Sequence, residues 1–241
     1  MLNDGGSDGD AGAPLDARSP REARYLDEVA RDAPVAWWRL GDPVGSSTTR
    51  EELRRDGGIV IPMVAFGGRG VFPGSSAVRF SDGAIDVGVI RDQRGVDLVA
   101  SGGPFTIELW INLIQTENAL LGIMGKERFS PRSGFILYVD GRVGQATQLK
   151  AERYAAGIQS GIAYAAWTDT GSWHHVVVVS SSQRLLMYKD GRTGESFGDP
   201  LPAASRLGDG VSLIWGKLDL NGGSFPGLLA ELAVYDVELS T

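Results

Sequence analysis

Residues 173–192, WHHVVVVSSSQRLLMYKDGR, constrain the fold of this 241-residue chain more than any other stretch, because they hold two dense β-patterns and a turn dipeptide. His175, Val177 and Val179 alternate with Val176, Val178 and Ser180. The β-branched run falls far short of the roughly 20 apolar residues of a membrane helix, but it suits a strand buried on both faces. A polar break at 180–183 precedes a second strand at 185–188. Asp190-Gly191 then supplies the dipeptide that accepts the φ > 0 geometry of a tight turn. A hairpin is predicted, with a second turn at its exit.

The same signals recur after Pro34. Strands are predicted at 35–40, 77–80, 85–89, 105–113, 120–125, 135–139, 176–179, 185–188, 211–215 and 227–235, separated by Gly, Pro, Asp and Ser clusters. The 34 glycines and scarce helix-periodic segments fit a fold of many strands and turns. Alternation is cleanest at 105–113. Phe105, Ile107, Leu109, Ile111 and Leu113 share one face, and Thr106, Glu108, Trp110 and Asn112 share the other. Such a series implies a sandwich or barrel. Trp37, Trp38, Trp110, Trp173 and Trp215 fall in or beside strands, where core packing is the default role.

The start of the chain follows different rules. Residues 1–18, MLNDGGSDGDAGAPLDAR, bury almost nothing and are expected to be a flexible tail or linker. Their composition resembles the tethers that follow the lipidated cysteine of bacterial surface lipoproteins. Residues 19–33 are predicted to form a short amphipathic helix docked outside the domain. Ser19 is its cap, Pro20 its first residue, Glu22 closes a capping box, and Tyr25, Leu26, Val29 and Ala30 lie on one side.

A net charge of −7 with pI near 4.9 argues against a phosphate-backbone partner, which calls for clustered Lys and Arg. The chain contains no cysteine, which removes disulfides, thiolate metal sites and a Cys nucleophile. The pattern Tyr-x-Asp-Gly-Arg occurs at 138–142 and 188–192. It is read as two uses of a turn dipeptide rather than a duplicated unit.

Four blocks together resemble the laminin-G-like jelly-roll domains of the concanavalin A-like lectin/glucanase superfamily. They are Ala36-Trp37-Trp38-Arg39-Leu40-Gly41-Asp42, then Phe105-Thr106-Ile107-Glu108-Leu109-Trp110-Ile111-Asn112, then Trp173-His174-His175-Val176-Val177 with its Tyr188-Lys189-Asp190-Gly191 return. The fourth is Phe225-Pro226-Gly227-Leu228-Leu229-Ala230-Glu231-Leu232-Ala233-Val234-Tyr235-Asp236. Their order and spacing span residues 34–241. The resemblance implies an all-β, two-sheet antiparallel jelly-roll sandwich whose first and last strands lie side by side at the domain's edge. It also implies use as a binding module for glycans or proteins, with some hydrolase and lyase relatives.

The resemblance further implies a structural calcium ion where the first and last strands meet. By block matching the candidate ligands are Asp56, Glu231 and, more weakly, Asp42. Ala230 stands where relatives commonly carry an Asp, a loss of charge that weakens such a site and makes a domain without a cofactor the stronger expectation.

Catalytic patterns are missing. No E-x-D-x-x-E strand supplies the paired carboxylates of a retaining glucanase. His174 and His175 are neighbours in one strand, point to opposite faces and cannot serve one site together. No G-x-S-x-G elbow suggests a nucleophile. No catalytic residue is therefore predicted.

For ligand recognition the informative stretch is 150–173, a Gly- and Ala-rich connection holding Arg153, Tyr154, Tyr164, Trp167 and Asp169. Aromatic platforms flanked by Asp or Arg suit sugar rings. Tyr154, Trp167 and Asp169 are the predicted ligand-binding residues. The leading expectation is a non-catalytic glycan-binding module, extracellular or tethered to a bacterial surface. A protein–protein adhesion module is the second, and a glycoside hydrolase or polysaccharide lyase the third.

Overall fold

The computed structural model describes residues 19–53, 57–90, 97, 99, 103–129, 131–144, 146–155, 157–198, 211–219 and 223–240. The expected tail and Asp56 lie outside these residues. One helix, α1 (Pro20–Arg31), opens the described chain. The first eight strands are β1 (Ala36–Trp38), β2 (Ile59–Ile61), β3 (Val64–Arg69), β4 (Ser76–Phe80), β5 (Ala84–Asp86), β6 (Phe105–Leu113), β7 (Leu120–Phe129) and β8 (Arg132–Asp140). The others are β9 (Gln148–Ala155), β10 (Ile158–Ala166), β11 (His174–Ser180), β12 (Leu185–Lys189), β13 (Arg192–Thr193), β14 (Glu195–Phe197), β15 (Ile214–Trp215) and β16 (Gly227–Tyr235).

These strands form two antiparallel sheets. One runs β13-β12-β11-β6-β16-β4-β3, with β1 also on β16; the other runs β14-β10-β9-β8-β7-β15-β5-β2. The result is an all-β jelly-roll sandwich with one N-terminal helix. Along one side of β16, β4 pairs with Gly227–Leu229 and β1 with Leu232–Val234, so first and last strands do lie side by side. Between the two partners the ladder of β16 with β6 shifts register, and Glu231 takes φ 50°.

The alternation of β6 is realised. Phe105, Ile107, Leu109, Ile111 and Leu113 are all fully buried in the core between the sheets. The opposite face is covered as well, by α1. Leu26 and Val29 pack there on Trp37, Ala233 and Tyr235, while Tyr25 and Phe72 meet the Trp110 ring edge-on. The face bearing Trp110 is therefore filled rather than open.

Ser19 caps α1 as predicted, its Oγ accepting from the Glu22 amide at 3.2 Å. The Glu22 side chain turns away from the cap and accepts from Arg39 at 2.5 Å. A capping-box glutamate has become half of a tertiary ion pair.

The two Asp-Gly copies also part company. Asp190 and Gly191 take φ 52° and 73°, the tight hairpin turn expected of the dipeptide. Asp140 instead ends β8, and its carboxylate holds Arg142 and Lys150, each at 2.8 Å.

The largest difference from expectation lies at 150–173. What reads as a long connection is mostly the β9–β10 hairpin, paired from Ile158 with Ala155 to Ala166 with Gln148. Leu149, Ala151, Arg153 and Ala155 point inward along β9 and are buried, but small or charged residues on that face hide the strand pattern.

Candidate functional site

At one edge of the sandwich the chain passes from one sheet to the other. β13 pairs with β12, and two residues later β14 pairs with β10. Gly194 makes the crossing, its amide donating to the Met187 carbonyl at 2.8 Å. A Cβ there would fall 2.3 Å from the Tyr164 carbonyl oxygen, so only glycine lets the backbones come this close. Beside the crossing lies a cavity of ≈ 660 Å³ lined by Gln148, Tyr164, Thr168, Lys189, Arg192 and Glu195, with the Asp190 turn at its end.

Tyr164 is the aromatic residue of the cavity lining. Outside that lining it stacks on Phe197, with ring centroids 5.8 Å apart at 17°, and Phe197 is 56% exposed. The Tyr164 hydroxyl donates to Glu195 Oε2 at 2.8 Å.

The opposite wall is braced by His174. Its Nδ1 lies 2.7 Å from Asp190 Oδ2 and its Nε2 3.0 Å from Asp169 Oδ1. The other oxygen of Asp190 accepts from the His175 amide at 3.0 Å. The Asp169 carboxyl is held below its ordinary range by the Ser172 hydroxyl and then by His174. Burial pushes Asp190 up, but His174 and the His175 amide outweigh it and hold that carboxyl down too.

The structure brings two of the three predicted ligand-binding residues to this place, though as support. Trp167 is buried, donates from Nε1 to the Asp169 carbonyl at 2.6 Å and meets the His174 ring at 4.8 Å. Lys189 Nζ sits 5.2 Å from the Trp167 ring centre. Tyr154 lies elsewhere, six residues along β9 from cavity-lining Gln148, or roughly 20 Å at strand rise. Its hydroxyl donates to Glu152 Oε2 at 2.5 Å, and Arg132 covers its ring at 3.6 Å. Burial, then Glu152, pushes the Tyr154 phenol up to about 12. Gln148, Arg192 and Glu195 were missed because they flank strands and turns that register in the sequence only as scaffold.

His174 and His175 do face opposite ways. On the α1 side, His175 Nε2 meets Glu108 Oε1 at 2.8 Å, and Tyr235 donates to Glu108 Oε2 at 2.7 Å. Burial raises the Glu108 carboxyl, yet His175, Tyr235 and Tyr25 pull it below its ordinary value.

Of the expected calcium ligands, the two described ones, Glu231 and Asp42, lie at the fork between β1 and β4. Glu231 Oε1 accepts from Arg39 Nε at 3.0 Å and Nη2 at 2.9 Å, and the same Nη2 reaches Glu22. Asp42 accepts from the Thr49 hydroxyl at 2.7 Å and the Arg50 amide at 2.9 Å. Among the described residues no three His, Cys, Asp or Glu side chains are grouped to hold a metal ion. Glu231 as it stands does not fit calcium, because a guanidinium already occupies its coordinating edge.

Residues 76–241 match the profile of the Concanavalin A-like lectin/glucanases superfamily. The two sheets and the β1–β16 pairing make this a jelly-roll sandwich, and the chain belongs to that superfamily. The profile covers the last three of the four sequence blocks; the first lies before it.

Among solved structures, the chain is similar to domain 4 of AbnA, a GH43 extracellular arabinanase from Geobacillus stearothermophilus, in complex with arabinotriose. The two share 16% identity at TM-score 0.56 over 86% of this chain and 94% of that one. It is also similar to the Trypanosoma rangeli sialidase in complex with sialic acid, at 13% identity and TM-score 0.61 over 85% of this chain and 31% of that one. A third similar structure is the binding domain of Paraclostridial Mosquitocidal Protein 1, at 13% identity and TM-score 0.64 over 87% and 50% of the two chains. The chain thus spans under a third of the sialidase and half of the toxin domain. At these identities the likeness is one of fold. No curated protein sequence matches the chain.

Proposed function

We propose that this domain is a non-catalytic glycan-binding module whose ligand enters the cleft between Tyr164 and the Asp190–Gly191 turn. One observation carries the reading: a cavity of ≈ 660 Å³ lined by the Tyr164 ring, which Phe197 supports by stacking, and by the polar side chains of Gln148, Thr168 and Arg192. A sugar ring offers an apolar C–H face to such a wall and hydroxyls to such a rim. The carboxylates at the cleft are hydrogen-bonded within the protein, Glu195 to Tyr164 and Asp190 to His174. Neither is poised as the free acid or base that glycoside hydrolysis needs.

An exported, surface-tethered setting is part of the proposal and rests on the Gly-, Asp- and Ala-rich residues 1–18. Among the described residues no helix is long and apolar enough to cross a membrane.

A glycan array followed by calorimetry on the hits tests the reading. Tyr164→Ala is expected to weaken binding on the order of tenfold, about what one lost aromatic contact costs. An array silent for a folded protein would put the adhesion-module reading in its place. Sugar cleavage by the wild-type protein would put the hydrolase or lyase reading there.

A further inference from the structure

The polar groups of the cleft are not equally available. Glu195 accepts from Tyr164. Asp190 takes His174 on one oxygen and the His175 amide on the other. Asp169 faces His174 from behind. Lys189 is divided between the Trp167 ring, 5.2 Å away, and Asp190, 3.6 Å away. Each of the cleft's carboxylates thus takes at least one hydrogen bond from within the protein.

Arg192 differs. It lines the cavity, is exposed on β13, and has no carboxylate or side-chain hydrogen-bond partner among the described residues. Its guanidinium is planar, permanently charged and presents five N–H donors in a fork that matches a carboxylate or sulfate. It shares the cavity lining with Tyr164, the ring that a sugar would stack on. A charged donor with no acceptor of its own selects a ligand that brings its own negative charge.

We infer that the ligand class of this cleft is an acidic glycan, a saccharide bearing a carboxylate or sulfate, and that Arg192 is the residue that selects it. The inference rests on the glycan reading of the same cleft. Acid sugars would dock with the ring on Tyr164 and the anionic substituent on Arg192, whose charge, together with that of Lys189, offsets the carboxylates of Asp190 and Glu195 in the same lining. The overall charge of −7 does not oppose this, because at cell-like salt a Debye length of about 8 Å screens the charges beyond the cleft, and within its lining Lys189 and Arg192 balance Asp190 and Glu195.

Matched probes provide the test: oligogalacturonate against its methyl ester, and a sulfated galactan oligosaccharide against its desulfated form. Each is titrated into wild type, Arg192→Gln, Arg192→Lys and Tyr164→Ala, with thermal melting to show that the variants remain folded. The expected result is binding of at least one acidic probe, with its neutral partner at least tenfold weaker. Arg192→Gln then removes on the order of tenfold to a hundredfold of affinity, the range of a hydrogen bond to a charged group. Arg192→Lys restores part of it and keeps the salt dependence that Arg192→Gln loses.

Equal binding of acidic and neutral probes, lost with Tyr164→Ala but untouched by Arg192→Gln, overturns the acidic class and leaves the glycan cleft standing. Binding that ignores Tyr164→Ala overturns the cleft itself and the inference with it. Silence toward both acidic probes while neutral sugars bind also overturns the acidic class.

Discussion

Replacing Arg39 by Met should be among the most damaging single changes in this domain. Arg39 joins Glu22 of α1 to Glu231 at the strained bend of β16, and the side chains of the two acids are 6% and 2% exposed. Methionine keeps much of the volume but leaves two carboxylates buried without a cation. Breaking a buried pair in this way costs about 3–5 kcal/mol, far more than an exposed pair is worth. For a chain of this length that lowers the melting temperature by roughly 6–20 °C.

The pH dependence of the deficit has a definite sign. Burial, and then the charge of Glu22, hold the Glu231 carboxyl above its ordinary value even with Arg39 pulling it down. Without Arg39 the carboxyl rises further, so the folded state binds more protons than the unfolded one. The variant's deficit must then shrink as pH falls from about 8 to about 5. Urea unfolding followed by tryptophan fluorescence measures both effects. Adding Glu231→Gln and Glu22→Gln to Arg39→Met should recover most of the loss. A deficit under about 1 kcal/mol, or one that grows toward acid, would refute the buried-triad account.

Two further predictions use other parts of the fold. Asp140→Asn should cost about 1–2 kcal/mol at neutral pH, a figure reduced because Arg142 is half exposed. Arg142, and beyond the opposing effect of burial Lys150, hold the Asp140 carboxyl well below the usual carboxylate range. The stability it provides is present above pH about 4 and lost as pH falls, so wild type and variant should converge in acid denaturation. Added calcium chelator should leave the melting temperature within about a degree, because Arg39 already neutralises Glu231. A fall of many degrees would show a cation holding the β1–β16 fork.

What the sequence made legible was whatever is encoded locally. The Ser19-Pro20-Arg21-Glu22 start, the alternation of β6, the valine run of β11 and the Asp190-Gly191 turn each carry their reason within a few residues. β9 does not. Its outward residues are Gln148, Lys150, Glu152 and Tyr154, and its inward set includes two alanines and an arginine, so neither face shows the β-branched pattern of a strand. Pairing with β8 on one side and β10 on the other makes it one. The inward Arg153 is fully buried and donates from Nη1 to Ser180 Oγ and the Arg184 carbonyl, both at 3.2 Å; desolvation lowers its pKa to about 10. No composition rule would put a guanidinium there. Reading β9 as loop removed the fixed spacing that separates Tyr154 from Trp167. Two residues at opposite ends of the β9–β10 hairpin then looked like one site.

The cleft itself could not be read from any single stretch, because its walls belong to different sheets. Tyr164 and Glu195 come from β10 and β14, while Lys189 and Arg192 come from β12 and β13, and the crossing at Gly194 joins them. The core between the sheets is built from other residues, centred on β6, β8, β11 and β16. Cleft width is therefore set by how closely β13 and β14 can turn past Tyr164, which the missing side chain of Gly194 permits. Exposed residues on this rim can change without touching the core, and surface substitutions of that kind usually move stability by under about 0.5 kcal/mol. Arg192→Gln should therefore alter recognition with the fold intact. A Gly194→Val change should instead push β14 off β10 and carry Glu195 away from Tyr164, so that binding and edge pairing fail together.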